Sequence, residues 1–292
     1  MPYAKPEALV STDWLARHLS APDVHVVDAT YFMPGSGRNP RAEYEACHIP
    51  GAVFFDIDEV ADSDNPLPHM LPPPEKFTAR VRKLGLGAGT RIVIYDALGL
   101  MSAARVWWMF RVFGHADVAV LDGGLPQWKR EGRPVSDMPP VPRHRHFTSH
   151  LNHMLVRELD QMIGNVKHRR EQVVDARSAG RFEGSADEPW ANGRRGHIPG
   201  ALNLPYTDLL DPETQCFLPV ETLKARVAAA GIDLSQPVVA SCGSGITACV
   251  VTLALYLLGK TDVAVYDGSW AEWGSRNDLA AETGPAAAPV PA

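Results

Sequence analysis

The sequence predicts an α/β protein built from two copies of one domain, each a mostly parallel central sheet with helices on both faces. Three observations carry this. Motifs return in order: Val26-Val27-Asp28-Ala29 as Val173-Val174-Asp175-Ala176, His48-Ile49-Pro50-Gly51-Ala52 as His197-Ile198-Pro199-Gly200-Ala201, and Val118 to Gly123 as Val263 to Gly268. Within each copy, short β-branched runs alternate with helical patterns, which is how a parallel sheet with crossover helices reads. Finally, 292 residues at 45% hydrophobic and 21% charged suffice for two ordinary globular cores.

The first copy is expected over 8–137 and the second over 154–278. Between them, 138–153 opens with Met138-Pro139-Pro140-Val141-Pro142 and reads as a linker. Residues 279–292 read as a disordered tail, since the run from Gly284 to Ala292 is of low complexity. Helical patterns cover Glu75 to Leu84, Ala103 to Phe113, Val220 to Ala230 and Ile246 to Leu258. Gly114 and Gly259 sit just past two of them, where a C-terminal glycine cap is expected.

A net charge of −6 gives no electrostatic case for nucleic acid, and the short basic runs Arg143 to His146 and Lys167 to Arg170 read as solvated surface. The first residues lack the apolar core of a signal peptide and no later run approaches a membrane span, so no membrane partner and a cytoplasmic location are expected. Four cysteines without a Cys-x-x-Cys pair indicate neither a disulfide framework nor a zinc site, and no cofactor is expected. Cys47 and Cys216 read as buried filler.

The chemistry points to one stretch, Pro237 to Cys249. It reads as a buried strand, a turn beginning at Cys242 and the opening of an apolar helix. Gly243 and Gly245 let the backbone bend so that successive N–H groups turn inward, and the helix adds its positive end. A cysteine there is expected to react as a thiolate nucleophile.

Duplication supplies an internal control. The histidines and aspartates found in both copies, His48 with His197 and Asp122 with Asp267, read as structural, the aspartates bracing turns. Cys242 faces Asp96, so the second copy carries the activity, and Leu98 to Ser102 lacks the glycine spacing and is not expected to form the same cradle. Arg181 stands where the first copy has Glu43. The second copy is 11 residues longer between Glu183 and His197, which brings in Trp190, Arg194 and Arg195. An arginine beside such a loop is the expected holder of a carboxylate or sulfur oxyanion. In the first copy Asp58 aligns with Thr207 and His69 with Cys216; this unmatched pair could form an oriented acid–base couple.

Together, the Asp-Ala, His-Ile-Pro-Gly-Ala, strand-Cys-loop-helix and Tyr-Asp-Gly-Ser-Trp motifs resemble the tandem-domain sulfurtransferases of the rhodanese superfamily whose first domain has lost its cysteine. The resemblance runs from about Leu9 to Asp278. The loop Cys242-Gly243-Ser244-Gly245-Ile246-Thr247 is most similar to that of the 3-mercaptopyruvate sulfurtransferases; thiosulfate-using relatives carry basic residues in it. The resemblance implies sulfur transfer from 3-mercaptopyruvate through a Cys242 persulfide, with release of pyruvate, to a thiol such as thioredoxin or to cyanide. It further implies substrate contacts from Arg181, Gly243, Gly245, Ile246 and Thr247, and a proton relay of Ser244, His69 and Asp58. The family's second arginine is replaced by Trp190, so Arg194 or Arg195 is expected to substitute, or the donor differs. Thiosulfate:cyanide transfer by the same persulfide, and a non-catalytic binding or redox-sensing module, are the alternatives. A Cys-x5-Arg phosphatase is disfavoured because Ala248 holds the arginine position. A Cys242–Cys249 disulfide is disfavoured because seven residues of helix rise set them about 10 Å apart.

Overall fold

A computed structural model describes residues 2–189 and 193–286. The first half runs β1 (Leu9–Val10), α1 (Thr12–His18), β2 (Val24–Asp28), α2 (Pro40–Ala46), β3 (Val53–Phe54), α3 (Ile57–Val60), α4 (Pro74–Lys83), β4 (Arg91–Tyr95), α5 (Ala103–Val112), β5 (Val118–Leu121) and α6 (Gly124–Arg130). The second repeats it: β6 (Val156–Arg157), α7 (Leu159–His168), β7 (Gln172–Asp175), α8 (Ala179–Glu183), β8 (Leu202–Asn203), α9 (Val220–Ala229), β9 (Val238–Ser241), α10 (Ala248–Leu257), β10 (Ala264–Tyr266) and α11 (Ser269–Trp273). Each half forms a five-stranded sheet in the order β1-β5-β4-β2-β3 or β6-β10-β9-β7-β8, with every pairing parallel.

Strand alternation sorts the core into layers. In β4, Val93 and Tyr95 join Leu15, Tyr44 and Trp128 of α1, α2 and α6 on the outer face. Ile92 and Ile94 turn inward, toward α4 and α5. The second half has the same outer layer, where Met162, Phe182 and Trp270 cover Val173 and Val239. The two inner layers merge into one core, because α5 packs on α10 and both helices are apolar nearly all round. The domains therefore share a continuous interior.

Local signals set the ends of elements. Ser11 and Asn39 cap α1 and α2 by accepting the N–H of Trp14 and Ala42, and Pro74 opens α4. Gly114 and Gly259 follow α5 and α10 at φ of 86° and 102°. The expected helix from Ile246 starts at Ala248 instead, since the residues before it form the Cys242 turn.

Segments outside the two expected domains pack back onto them. Before the first domain, Tyr3 donates its hydroxyl to the Leu218 carbonyl and the Ala4 N–H reaches Leu257, so the N-terminal residues bind the second domain. The linker lies back along the first domain, with Phe147 buried beside Phe77 and Phe110. Residues 279–286, expected as tail, pack on the second domain: Trp273 Nε1 donates to Ala280, Glu282 bridges to His197, and the Gly284 N–H reaches Glu183. No helix among the described residues is long and apolar enough to cross a membrane, and among them no three ligating side chains group for a metal.

Candidate active site

Cys242 leaves the end of β9, is 2% exposed and lines a small cleft. Gly243, Ser244, Ile246, Thr247 and Arg181 line this cleft, joined by Met33 and Met101 from the first domain. The cleft is thus a feature of the domain junction.

The loop after Cys242 is pinned from both sides. At its start, the Cys242 N–H donates to Ser269 Oγ (3.2 Å), while the Trp270 and Ala271 N–H groups reach the Cys242 and Gly243 carbonyls at 2.9 and 2.8 Å. Ser269 holds φ at 49° to make this possible, and its hydroxyl donates to the Tyr266 carbonyl. Beyond Gly245, whose φ is 76°, the carbonyl accepts from Cys249 Sγ at 3.2 Å and from Arg105 Nη1 at 3.3 Å. The carbonyls are engaged, whereas the backbone N–H groups of Gly243 to Thr247 meet no acceptor among the described residues. A run of such N–H groups at the start of a helix is an anion cradle.

The matching loop in the first domain corrects one expectation. Despite lacking the glycine pair, it does form a cradle, and Asp96 fills it. The Asp96 carboxylate accepts the N–H groups of Leu98, Met101 and Ala103 at 2.9, 2.7 and 2.8 Å. Complete burial raises the Asp96 pKa, and the backbone donors oppose that rise. The first loop therefore holds a built-in carboxylate where the second has its thiol.

Arg105, on α5 of the first domain and fully buried, was missed by the sequence reading. Its guanidinium pairs with Asp267 at 2.7 Å, donates to Gly245, and donates to the His69 carbonyl at 2.5 Å. Burial opposes its charge, and Asp267 more than restores it. Asp267 also accepts the Leu71 N–H at 2.7 Å, just as Asp122 accepts the Phe217 N–H at 2.9 Å in the other direction. The two shared aspartates thus brace loops, as expected, and the loops they brace belong to the other domain. The sequence signal for Arg105 was a charge within an apolar helical run, unmatched by Val250 at the same point of α10.

His69 Nδ1 lies 2.8 Å from Asp58 Oδ1, with the ring 4% exposed and edge-on to Tyr31 at 4.7 Å. The structure so forms the expected Asp58–His69 couple, at a residue held at φ 61°. Its structural counterpart is Gln215, at φ 60°, which shifts the sequence alignment by one. Gln215 abuts Gly99 in the first-domain loop.

Arg181 lines the cleft, and Glu188 holds it through Nε at 3.2 Å and Nη2 at 2.5 Å. Arg194 and Arg195 do not join it. The Arg194 guanidinium donates to the Gly274, Trp273 and Leu279 carbonyls, fixing the turn after α11, and Arg195 makes an exposed pair with Asp187. Backbone carbonyls and a nearer carboxylate out-compete the cleft for both. Trp190 lies outside the described residues. His48 and His197 are structural as expected, donating Nδ1–H to the Tyr44 and Phe182 carbonyls at 2.7 and 2.8 Å while stacking on the rings of the same residues. Cys249 is fully buried, and burial drives its thiol pKa well up; Cys216 is half-buried and pushed up to about 11 by burial and Asp122.

The family model for the rhodanese-like domain matches residues 11–131 and 155–276. The chain is 47% identical to the human 3-mercaptopyruvate sulfurtransferase over 91% of each chain. It is 43% identical to thiosulfate/3-mercaptopyruvate sulfurtransferase 1 of Arabidopsis thaliana over 95% of this chain and 78% of that one. With the thiosulfate sulfurtransferase of Bos taurus it shares 45% identity over 91% of each. Among solved structures, SseA of Escherichia coli, a 3-mercaptopyruvate sulfotransferase, aligns with a TM-score of 0.83 at 40% identity, covering 90% of this chain and 98% of that one. With both halves matched and relatives this similar along nearly its whole length, the chain belongs to the rhodanese family as a tandem-domain sulfurtransferase.

Proposed function

We propose that this chain takes sulfur from 3-mercaptopyruvate onto Cys242 and passes it to a thiol such as thioredoxin, or to cyanide. The Cys242 thiolate attacks the donor sulfur, forming an S–S bond as the C–S bond breaks. The electron pair leaves with the carbon as the enolate of pyruvate, which takes up a proton. An acceptor thiolate then attacks the outer sulfur of the persulfide and restores the Cys242 thiolate. In this reading the N–H groups of Gly243 to Thr247 hold the persulfide anion, as the first loop's N–H groups hold the Asp96 carboxylate.

Proton delivery falls to Ser244, His69 and Asp58, with Asp58 orienting the imidazole through Nδ1. The pseudo-symmetric placing of Gln215 against Gly99 supports His69 facing the Cys242 loop. Arg181, the cleft's one cationic side chain among the described residues, takes the donor carboxylate.

The observation that carries the donor assignment is a nucleophile loop without Lys or Arg, served by a single arginine from outside it. Thiosulfate, a dianion, gains more from fixed cations than mercaptopyruvate does. Thiosulfate is the second reading, favoured by the Bos taurus relative. Initial rates with each donor and one acceptor, with Cys242→Ser as blank, test the assignment. A higher kcat/KM for 3-mercaptopyruvate is expected. A higher value for thiosulfate sinks the donor assignment, and turnover of neither sinks the enzyme reading.

A further inference from the structure

Glu188 sits in the segment by which the second half outgrows the first, and its side chain is only 1% exposed. A carboxylate so buried needs compensation, and two arginines give it. Arg177, fully buried, donates Nη1 to Glu188 Oε1 at 2.7 Å and grips Asp175 at 2.7 Å. Arg181 approaches from the cleft side and gives Glu188 both Nε and Nη2. The order is Asp175, Arg177, Glu188, Arg181: two carboxylates and two guanidiniums, with no net charge. Only Arg181 reaches the cleft, with 24% of its side chain exposed.

We propose that Glu188 is a specificity-determining positioning residue, which fixes Arg181 side-on while cancelling its charge, so that the cleft accepts a monoanionic sulfur donor and resists a dianionic one. The inference rests on the sulfurtransferase reading above. Holding Nε and Nη2 leaves Nη1 as the edge not claimed by Glu188. One hydrogen bond from a pre-oriented guanidinium serves a carboxylate well. A second negative charge on the donor, however, meets Glu188 directly behind Arg181, in a partly desolvated site where charges are weakly screened.

The test compares kcat and KM for 3-mercaptopyruvate and thiosulfate in the unaltered chain, Glu188→Gln and Glu188→Asp. Glu188→Gln keeps an acceptor for one arginine and releases the other's charge. It is expected to raise the thiosulfate-to-mercaptopyruvate ratio of kcat/KM about tenfold, mainly through KM. Glu188→Asp keeps the charge with a shorter reach and is expected to leave the ratio near that of the unaltered chain. An unchanged ratio in folded, active Glu188→Gln overturns the role of Glu188 alone, as does an equal rise in Glu188→Asp. Failure of the unaltered chain to turn over either donor overturns the sulfurtransferase reading, and this one with it. Should Glu188→Gln not fold, Arg181→Gln decides: Glu188 then keeps only its bond from Arg177 and has no cation between it and the cleft, and thiosulfate turnover must fall more steeply than mercaptopyruvate turnover. Equal losses overturn the proposal.

Discussion

Arg105 shows how much one side chain from the neighbouring domain can settle. It is enclosed by Trp108, at 4.6 Å from the ring, and by polar partners from both domains. Removing one member of a buried pair leaves the other charged and unpaired, at a cost of about 3–5 kcal/mol. Arg105→Met is therefore expected to destabilise strongly and to release the Cys242 loop. The double variant Arg105→Met with Asp267→Asn removes the orphaned charge and is expected to recover part of the loss. Denaturant unfolding of the two variants checks this, and a double variant as unstable as the single one sinks the argument. Ser244 entered only through the family resemblance, whereas Cys242 and the Asp58–His69 couple stood out in the sequence because each broke the symmetry of the duplication. Arg105 broke it too, but a lone arginine in an apolar helix carries no partner in its own sequence neighbourhood, and its partners lie across the domain junction. Arg194 and Arg195 misled for a related reason: charge and proximity in sequence do not say which carbonyls lie closer than the cleft.

At the scale of the element, the loops at the ends of β4 and β9 solve one geometric problem with different chemistry. Loop one closes on the Asp96 carboxylate; loop two is held open by Ser269, Trp270, Ala271 and Arg105 while its N–H groups face no internal acceptor. That division was only half visible in the sequence, where the glycine pair marked loop two but nothing signalled that a carboxylate could organise loop one without it. Gly245 is the hinge. Its φ of 76° costs an alanine about 1–2 kcal/mol, and a Cβ there would stand 2.9 Å from the Asp267 carbonyl and 3.0 Å from Arg105 Nη1. Gly245→Ala is expected to lower kcat/KM about ten- to a hundredfold, the upper figure being the effect of a misplacement near 1 Å. Gly164→Ala, in α7 with open space around it, is the control, expected to keep full activity and gain up to about 1 kcal/mol in stability. Equal activity of the two variants in a steady-state assay counts against the hinge.

Across the whole molecule, the two domains are joined by one apolar core and by reciprocal polar braces, and the braces differ in charge balance. Asp267 has Arg105, whereas among the described residues its counterpart Asp122 has only the Phe217 N–H, because α10 carries Val250 where α5 carries Arg105. Burial raises the Asp122 pKa to about 6, with the Phe217 N–H pulling the other way. A carboxyl raised from its ordinary value near 3.8 binds protons more tightly in the folded chain than in the unfolded one. Stability contributed by this group is therefore greatest below that ordinary value and is lost as pH climbs through about 6. Asp122→Asn keeps an oxygen for the Phe217 N–H and removes the titration. The variant is expected to be more stable than the unaltered chain at pH 7.5 by roughly 1–2 kcal/mol, with the advantage vanishing near pH 4. Melting temperatures of both proteins across that range give the difference directly, and other titrating groups, such as the half-buried His25 and the buried His115 whose pKa values burial lowers, cancel from it. A difference independent of pH would mean that the Asp122 carboxyl is not strained by its place at the junction.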